Sequence, residues 1–186
     1  MIPSDHFVRF YNEVFKFLDE ENGLEEYYLE ISRHQELHCY ECFMDKGLEG
    51  MEEYWGHIRH EENCISSSYI EDGVRYTHMS VCPSLSKVLD CDAGLCDKYC
   101  LHCAGWVHPL FVKCGFYTIN YIYGLDIPEC RRCVSEDRAK LEAIREQWLA
   151  EGYDPRFIGD NFEFAEEIEK NKAYRHQRLA EKAGKK

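Results

Sequence analysis

The stretch Ile65-Ser66-Ser67-Ser68-Tyr69-Ile70-Glu71-Asp72-Gly73-Val74-Arg75-Tyr76-Thr77-His78-Met79-Ser80-Val81-Cys82 decides the fold class. Two extended runs, Ile65 to Glu71 and Val74 to Cys82, flank Glu71-Asp72-Gly73, and Asp-Gly between such runs is a hairpin signal. In the second run Val74, Tyr76, His78 and Ser80 alternate against Arg75, Thr77, Met79 and Val81, which is the period of a strand. The hydrophobic pattern upstream is helical, and beyond it helices and strands are mixed.

Upstream, Ser4 or Asp5 can cap a helix with Phe7, Phe10, Tyr11, Val14, Phe15 and Leu18 at helical spacing, closed by Asn22-Gly23. A second helix is expected from about Leu24 to Lys46, carrying Tyr27, Leu29, Ile31, Leu37 and Phe43 and stopped by Gly47. A third runs from Leu48 to about Asn63, and the short connections imply antiparallel packing in one layer. Downstream, Pro83 opens a short helix through Leu89, and Asp92-Ala93-Gly94 forms a loop. A helix from Asp97 to about Lys113 contains Pro109, which predicts a kink or break. Strands follow over Phe116 to Tyr123 and Glu129 to Val134. Ser135 is the expected cap of a helix over Glu136 to Glu151 that buries Leu141, Ile144, Trp148 and Leu149. Gly152-Tyr153-Asp154-Pro155 breaks the chain before a charge-rich helix from Phe162 to Ala180.

The expected architecture is α+β: an N-terminal helical layer on a four-stranded antiparallel meander with an inserted helix, followed by C-terminal helices. Residues 1–152 are read as one domain, with the helical layer over 4–63, sheet and site over 64–134 and a helix over 136–151. Residues 153–186 are read as a peripheral helix and basic tail.

The 186 residues suffice for a core without covalent staples, and 13 Tyr and 10 Phe argue for a globular chain. A net charge of −13 argues against a nucleic-acid backbone or an anionic membrane as partner. No apolar run approaches the ~20 residues of a membrane span. Met1-Ile2-Pro3-Ser4-Asp5 has neither the basic nor the apolar region of an export signal, so a cytoplasmic protein is expected. In that compartment the 11 cysteines stay reduced. Cys64, Cys91, Cys96 and Cys114 are read as small buried apolar residues.

The chemistry centres on Asp97-Lys98-Tyr99-Cys100-Leu101-His102-Cys103 and on Cys130-Arg131-Arg132-Cys133, two Cys-x-x-Cys pairs separated by 26 residues. Such pairs fit a metal, a redox dithiol or a reactive thiol. If the helix begins at Asp97 or Lys98, Cys100 lies in its first turn, where exposed amides and the macrodipole favour a thiolate. Cys130 and Cys133 face opposite sides of a regular strand, which favours Cys130 as the one that reaches the first pair; a tight turn at Arg131-Arg132 would restore a four-thiolate site. Arg131 and Arg132 could bind a carboxylate. His34, His38 and Cys42 form one helical stripe beside Cys39, a metal site only if another element adds ligands. Glu53, His57, His60 and Glu61 share a helical face, and His57 beside Gly56 is its strongest candidate, although an acidic chain makes a solvated face the default.

At these residues the chain resembles the L-2-amino-thiazoline-4-carboxylic acid hydrolase family. The matching features are Glu53-Tyr54-Trp55-Gly56-His57, Cys82-Pro83-Ser84, Asp97-x-Tyr99-Cys100-x-His102-Cys103 and Cys130-Arg131, over about Leu48 to Val134. The resemblance implies hydrolytic opening of a cyclic amidine-like thiazoline ring on the route to cysteine. Cys39, Cys42, Cys91, Cys96 and Cys133 look like additions to that pattern and favour a metal or redox role.

The leading expectation is a hydrolase acting on a small cyclic C–N or C–S substrate. In one mechanism Cys100 is the nucleophile, His102 handles the proton, and Asp97 or His57 orients it. In the other, three of Cys82, Cys100, His102, Cys103 and Cys130 hold zinc, whose bound water attacks, whereas Cys100, Cys103, Cys130 and Cys133 together would close the site with four thiolates. The alternative is a non-catalytic zinc- or iron-binding module or a thiol-based small-ligand sensor. An iron–sulfur cluster fits worst, because Cys91, Cys96, Cys100 and Cys103 do not follow ferredoxin spacing.

Overall fold

A computed structural model describes residues 3–61, 64–90 and 94–184, with the side chains of 3–5 and 35–38 outside the description. The expected Ser4 or Asp5 cap, Cys91, and the side chain of His38 therefore lie outside the described residues.

The fold is α+β. Helix α1 (Pro3–Glu20) is followed by α2 (Leu24–Glu61), the hairpin β1 (Ile65–Glu71) and β2 (Val74–Val81), and the short α3 (Pro83–Leu89). Then come α4 (Leu101–Cys114), β3 (Tyr117–Ile122), β4 (Cys130–Ser135), α5 (Arg138–Ala150), β5 (Ile158–Asp160) and α6 (Ala165–Ala183). The hairpin turn places Asp72 and Gly73 at φ 49° and 73°, which explains Asp-Gly there.

The expected second and third helices are the two arms of α2, joined at Gly47, whose φ of 60° and ψ of −131° break the helical path. A Cβ at Gly47 would lie 3.1 Å from an Arg175 guanidinium nitrogen, so close approach as well as backbone conformation calls for glycine.

The sheet has five antiparallel strands in the order β1-β2-β4-β3-β5. It is not a simple meander: β4 inserts between β2 and β3, so the chain crosses from β2 through α3 and α4 before returning. Register pairs Thr77 with Arg132 and Met79 with Cys130, while Asn120 faces Arg132 and Ile122 faces Cys130 across the other edge of β4. One face therefore carries Arg75, Thr77, Met79, Cys130, Arg132, Asn120 and Ile122; the other carries Val74, Tyr76, Cys133, Ile119 and Tyr121.

Helices cover both faces. Phe43, Met44 and Met51 of α2 pack with Leu110 and Phe111 of α4 on Phe116 and Val134. On the opposite face Leu141 and Trp148 of α5 pack with Val74, Ile119, Tyr121 and Cys133. A third cluster ties Phe15 of α1 and Tyr28 of α2 to Leu85, Val88, Cys96 and Tyr99. Phe7 and Phe10, expected on the buried face of α1, are about 60% exposed, whereas Phe15 is fully buried.

Several expectations are corrected. Helix α4 begins at Leu101, because 97–100 form a turn in which the Tyr99 amide donates to the Cys96 carbonyl and the Leu101 amide to Lys98. Pro109 does not break it. The helix ends at Gly115, where φ is 76° and an added Cβ would stand 2.4 Å from the Lys172 backbone. Asp137, not Ser135, caps α5, accepting from the Ala139 amide at 3.0 Å; Ser135 belongs to β4 and donates to the Gly73 carbonyl.

The 153–186 segment is built into the core rather than peripheral to it. β5 adds the fifth strand, beside β3, and the fully buried Asn161 binds the Thr118 amide and the Phe116 carbonyl. Ile168 is fully buried, and the guanidinium of buried Arg175 lies 4.2 Å over the Phe116 ring. Three-residue β5 is too short to give a period, and the charge of α6 hides these inward residues.

A candidate thiol site

The tight turn before α4 is held by α1 and α3. Fully buried Asn12 of α1 donates to the Gly94 carbonyl at 2.7 Å and accepts from the Cys96 amide at 2.9 Å. The Tyr99 hydroxyl bonds Ser84 Oγ at 2.6 Å, joining the turn to the start of α3. Cys100 is the N-cap of α4, and Leu101, His102 and Cys103 make its first turn.

This start moves the helix N-terminal effect by one turn. Cys100 and Cys103 both lie at the N-terminal end of α4, where the macrodipole favours a thiolate, and what sets Cys103 apart is His102. His102 is buried, with Phe15, Tyr99 and Trp106 packed on its ring at centroid distances of 5.6, 5.0 and 4.7 Å. Its Nδ1 bonds the Tyr99 carbonyl, and its Nε2 lies 3.3 Å from Cys103 Sγ. The carbonyl thus orients the imidazole and leaves Nε2 for the thiol, the role expected of Asp97 or His57.

Cys103 is crowded by protein, and that desolvation raises its pKa. The His102 charge and hydrogen bond, with Arg132 beyond, outweigh this and bring the thiol down to about 7. Burial pushes His102 down, but the Cys103 charge, that hydrogen bond and the Tyr99 carbonyl leave it raised. The pair favours thiolate and imidazolium. Cys103 nevertheless remains exposed, through a cavity of about 210 Å³.

That cavity lies between the sheet face of Arg75, Thr77, Cys130 and Arg132 and helices α2, α3 and α4. Cys82, Cys100, Cys103 and Cys130 all line it, as expected of one site. Cys82 also caps α3, its sulfur accepting from the Leu85 amide at 3.5 Å. Burial, then the charge of Cys103, pushes Cys100 and Cys130 up to about 12 and Cys82 to about 11. Five thiols line the cavity, these four and Cys64, and among the four Cys103 is the acidic one.

Three of the expected residues fall elsewhere. Cys133 is buried on the opposite face of β4 among Val74, Ile119 and Trp148, so the pair splits as strand geometry dictates. Asp97 is exposed on the turn and does not line the cavity, and His57 is exposed on the outer face of α2. Glu53, His60 and Glu61 share that solvated face, with Glu53 paired to Lys46 at 2.5 Å. Of the other cluster, His34 is exposed, Cys39 is buried in the core, and Cys42 donates to the Gly50 carbonyl. Cys96 and Cys114 are buried as expected, while Cys64 is half-buried and lines the cavity. Among the described residues no group of three or more Cys, His, Asp or Glu side chains is placed to hold a metal ion.

The cavity's cations divide into two kinds. Arg59 and Arg75 both pair with Glu52, at 2.6 and 3.0 Å, and Arg75 also donates to Thr77. Arg132 forms no ion pair among the described residues, and its Nε is buried without a hydrogen-bond partner. Asn120 lies across the register from Arg132. Arg131 turns to the other face, over the Tyr123 and Tyr153 rings. Glu52, Arg59, Arg75 and Asn120 were not singled out from sequence. The signals were faint: Glu52 and Arg59 are two helical turns apart, and Asn is unusual inside a strand.

Among the described residues no helix is long and apolar enough to cross a membrane. In comparison with known proteins, the chain matches no family model, no curated protein and no solved structure.

Proposed function

We propose that the chain is a thiol hydrolase acting on a small, cyclic, carboxylate-bearing C–N/C–S substrate of the aminothiazoline type, with Cys103 as nucleophile and His102 as its acid–base partner. The observation that carries this reading is the 3.3 Å contact between His102 Nε2 and a Cys103 that remains accessible inside a cavity. A pKa near 7 leaves roughly half of Cys103 as thiolate at neutral pH, against a few per cent for an ordinary thiol. The cavity, about 210 Å³, exceeds the roughly 150 Å³ that admits benzene, so a five-membered ring with a carboxylate fits its scale.

In this mechanism Arg132 receives the carboxylate. The Cys103 thiolate adds to the amidine carbon, and the ring nitrogen takes the electron pair. Re-forming the C–N double bond expels the ring sulfur, and the His102 proton ends on that departing sulfur. Water then adds to the same carbon, gives a proton to His102, and displaces Cys103, leaving a ureido acid with a free thiol.

A second reading rests on the five thiols that line the cavity, which could serve a metal-activated water. It requires three donors to converge, an arrangement not present among the described residues, so no step is routed through an ion.

The test is turnover of 2-aminothiazoline-4-carboxylate, followed by release of thiol, with and without a chelator. Turnover that is unaffected by the chelator and absent in Cys103→Ser is expected. Turnover lost to the chelator and restored by zinc would replace the thiol route by the second reading, and no turnover in any state would remove the substrate assignment.

A further inference from the structure

Cys103 has a neighbour that hydrolysis does not need. Cys100 caps α4 and Cys103 is three residues further along it. Helical rise and radius put the Cα atoms of positions i and i+3 about 5 Å apart, inside the roughly 4.4–6.8 Å that a disulfide spans. Positions i and i+3 also share a helix face, and both thiols line the same cavity. Cys82 and Cys130 line it from other elements, whereas Cys100 alone is tied to Cys103 by fixed helical spacing.

We infer that Cys100 and Cys103 form a redox dithiol that reduces small, carboxylate-bearing disulfides, with Cys103 as attacking and Cys100 as resolving thiol. The Cys103 thiolate attacks one sulfur of the disulfide, a new S–S bond forms, and one thiolate leaves. Cys100 then loses its proton to the released thiolate or to water and attacks the Cys103 sulfur, which expels the second thiolate. The Cys100–Cys103 disulfide is the oxidised product; the small disulfide has gained the two electrons. Two monothiols of the same class reverse the sequence, giving back the small disulfide and restoring the dithiol.

The roles follow from accessibility and acidity. Cys103 is exposed while Cys100 is half-buried, and an attacking thiol must reach its substrate. Burial pushes Cys100 up to about 12, so it is a poor attacker of disulfides from solution. As the fixed neighbour of a mixed disulfide at Cys103 it needs only a short reach. Arg132, which forms no ion pair among the described residues, favours disulfides that carry carboxylates over neutral ones.

Hydrolysis and disulfide exchange share Cys103, but only exchange requires Cys100, so their tests separate. The experiment treats the reduced full-length chain with cystine or with bis(2-hydroxyethyl) disulfide and follows the intact mass and the peptide 99–113, which contains both thiols, by mass spectrometry. Wild type is expected to lose two hydrogens within that peptide, faster with cystine. Cys100→Ser should stall as a cysteinyl adduct on Cys103. Cys103→Ser should react about a hundredfold more slowly, since thiols near 12 are scarcely ionised at neutral pH even after allowing for their greater nucleophilicity. Circular dichroism of each variant guards against unfolding. A disulfide from Cys103 to Cys82 or Cys130, no accumulated adduct in folded Cys100→Ser, or an undiminished rate in folded Cys103→Ser would overturn the assignment.

Discussion

His102 Nε2 lies 3.3 Å from Sγ of Cys103, its neighbour in the chain. Adjacent residues on a regular helix point about 100° apart. The two side chains meet because they sit in the first turn of α4, where the Tyr99 carbonyl holds the far side of the imidazole.

Replacing His102 by Asn removes the charge that opposes desolvation, so the Cys103 pKa should rise above that of an ordinary thiol. Fewer thiolates, partly offset by their greater nucleophilicity, should slow alkylation by iodoacetamide at neutral pH by roughly fivefold to tenfold. An unchanged rate would show that the imidazole does not activate the thiol.

Turnover should follow a bell in pH. The folded pKa of Cys103 is lowered, so the nucleophile is present above about 7 and is lost as pH falls through that value. The folded pKa of His102 is raised, so its acid form is lost as pH rises through the raised value. The two limbs belong to the pair as a unit. Alkylation needs only the thiolate and should keep the acid limb alone. Measuring both profiles on one preparation checks this.

Arg132→Met should raise KM for a carboxylate substrate by about tenfold to a hundredfold, the equivalent of the roughly 1.5–3 kcal/mol of a charged hydrogen bond. Arg132→Lys keeps the charge but loses the planar fork, so its KM should fall between. Comparing KM for the acid and its methyl ester in wild type and Arg132→Met distinguishes substrate recognition from a general structural loss: the preference for the acid should disappear in the variant.

Two glycine substitutions separate backbone strain from packing. Gly115→Ala forces a left-handed residue and drives a Cβ into the Lys172 backbone, so it should cost about 2 kcal/mol or more. Gly152→Ala, at φ 90° with nothing within 4 Å, meets only the conformational penalty of about 1–2 kcal/mol. Urea unfolding of both variants is the measurement, and Gly115→Ala should be the less stable.

Asn12→Ala should cost about 1–3 kcal/mol, because the Cys96 amide and Gly94 carbonyl lose their partner in a buried setting. Hydrogen exchange should then rise over 94–100 before the rest of the chain, which would identify Asn12 as the support of the turn beneath the site.

The elements with strong periodicity were legible from residues alone. The hairpin around Asp72-Gly73 and the short α3 fall where the pattern puts them, and the alternation of Arg75, Thr77 and Met79 marks the cavity face. Strand order was not legible, because nothing local tells β4 to insert between β2 and β3. Four of the five cavity thiols were legible as a group, Cys64 being read instead as a buried apolar residue, and strand alternation already separated Cys130 from Cys133. The identity of the reactive thiol was not. It depends on where α4 starts, and a turn built by Asn12, Ser84 and Tyr99 delays that start to Leu101. In the first turn that results, His102 meets Cys103 rather than Cys100 and makes it the acidic thiol. The isolation of Arg132 was equally hidden, since it emerges only when Glu52 is seen to serve Arg59 and Arg75 instead.

The central claim is that Cys103 is an acidic thiol held beside His102, and direct titration of thiolate tests it most closely. Ultraviolet thiolate absorbance would be recorded across pH for the reduced protein and for Cys103→Ser. One thiol should ionise with a midpoint near 7 and vanish from the difference in the variant. If no thiol ionises below the usual 8.5 or so, or if the acidic one survives in Cys103→Ser, the account of this site is wrong.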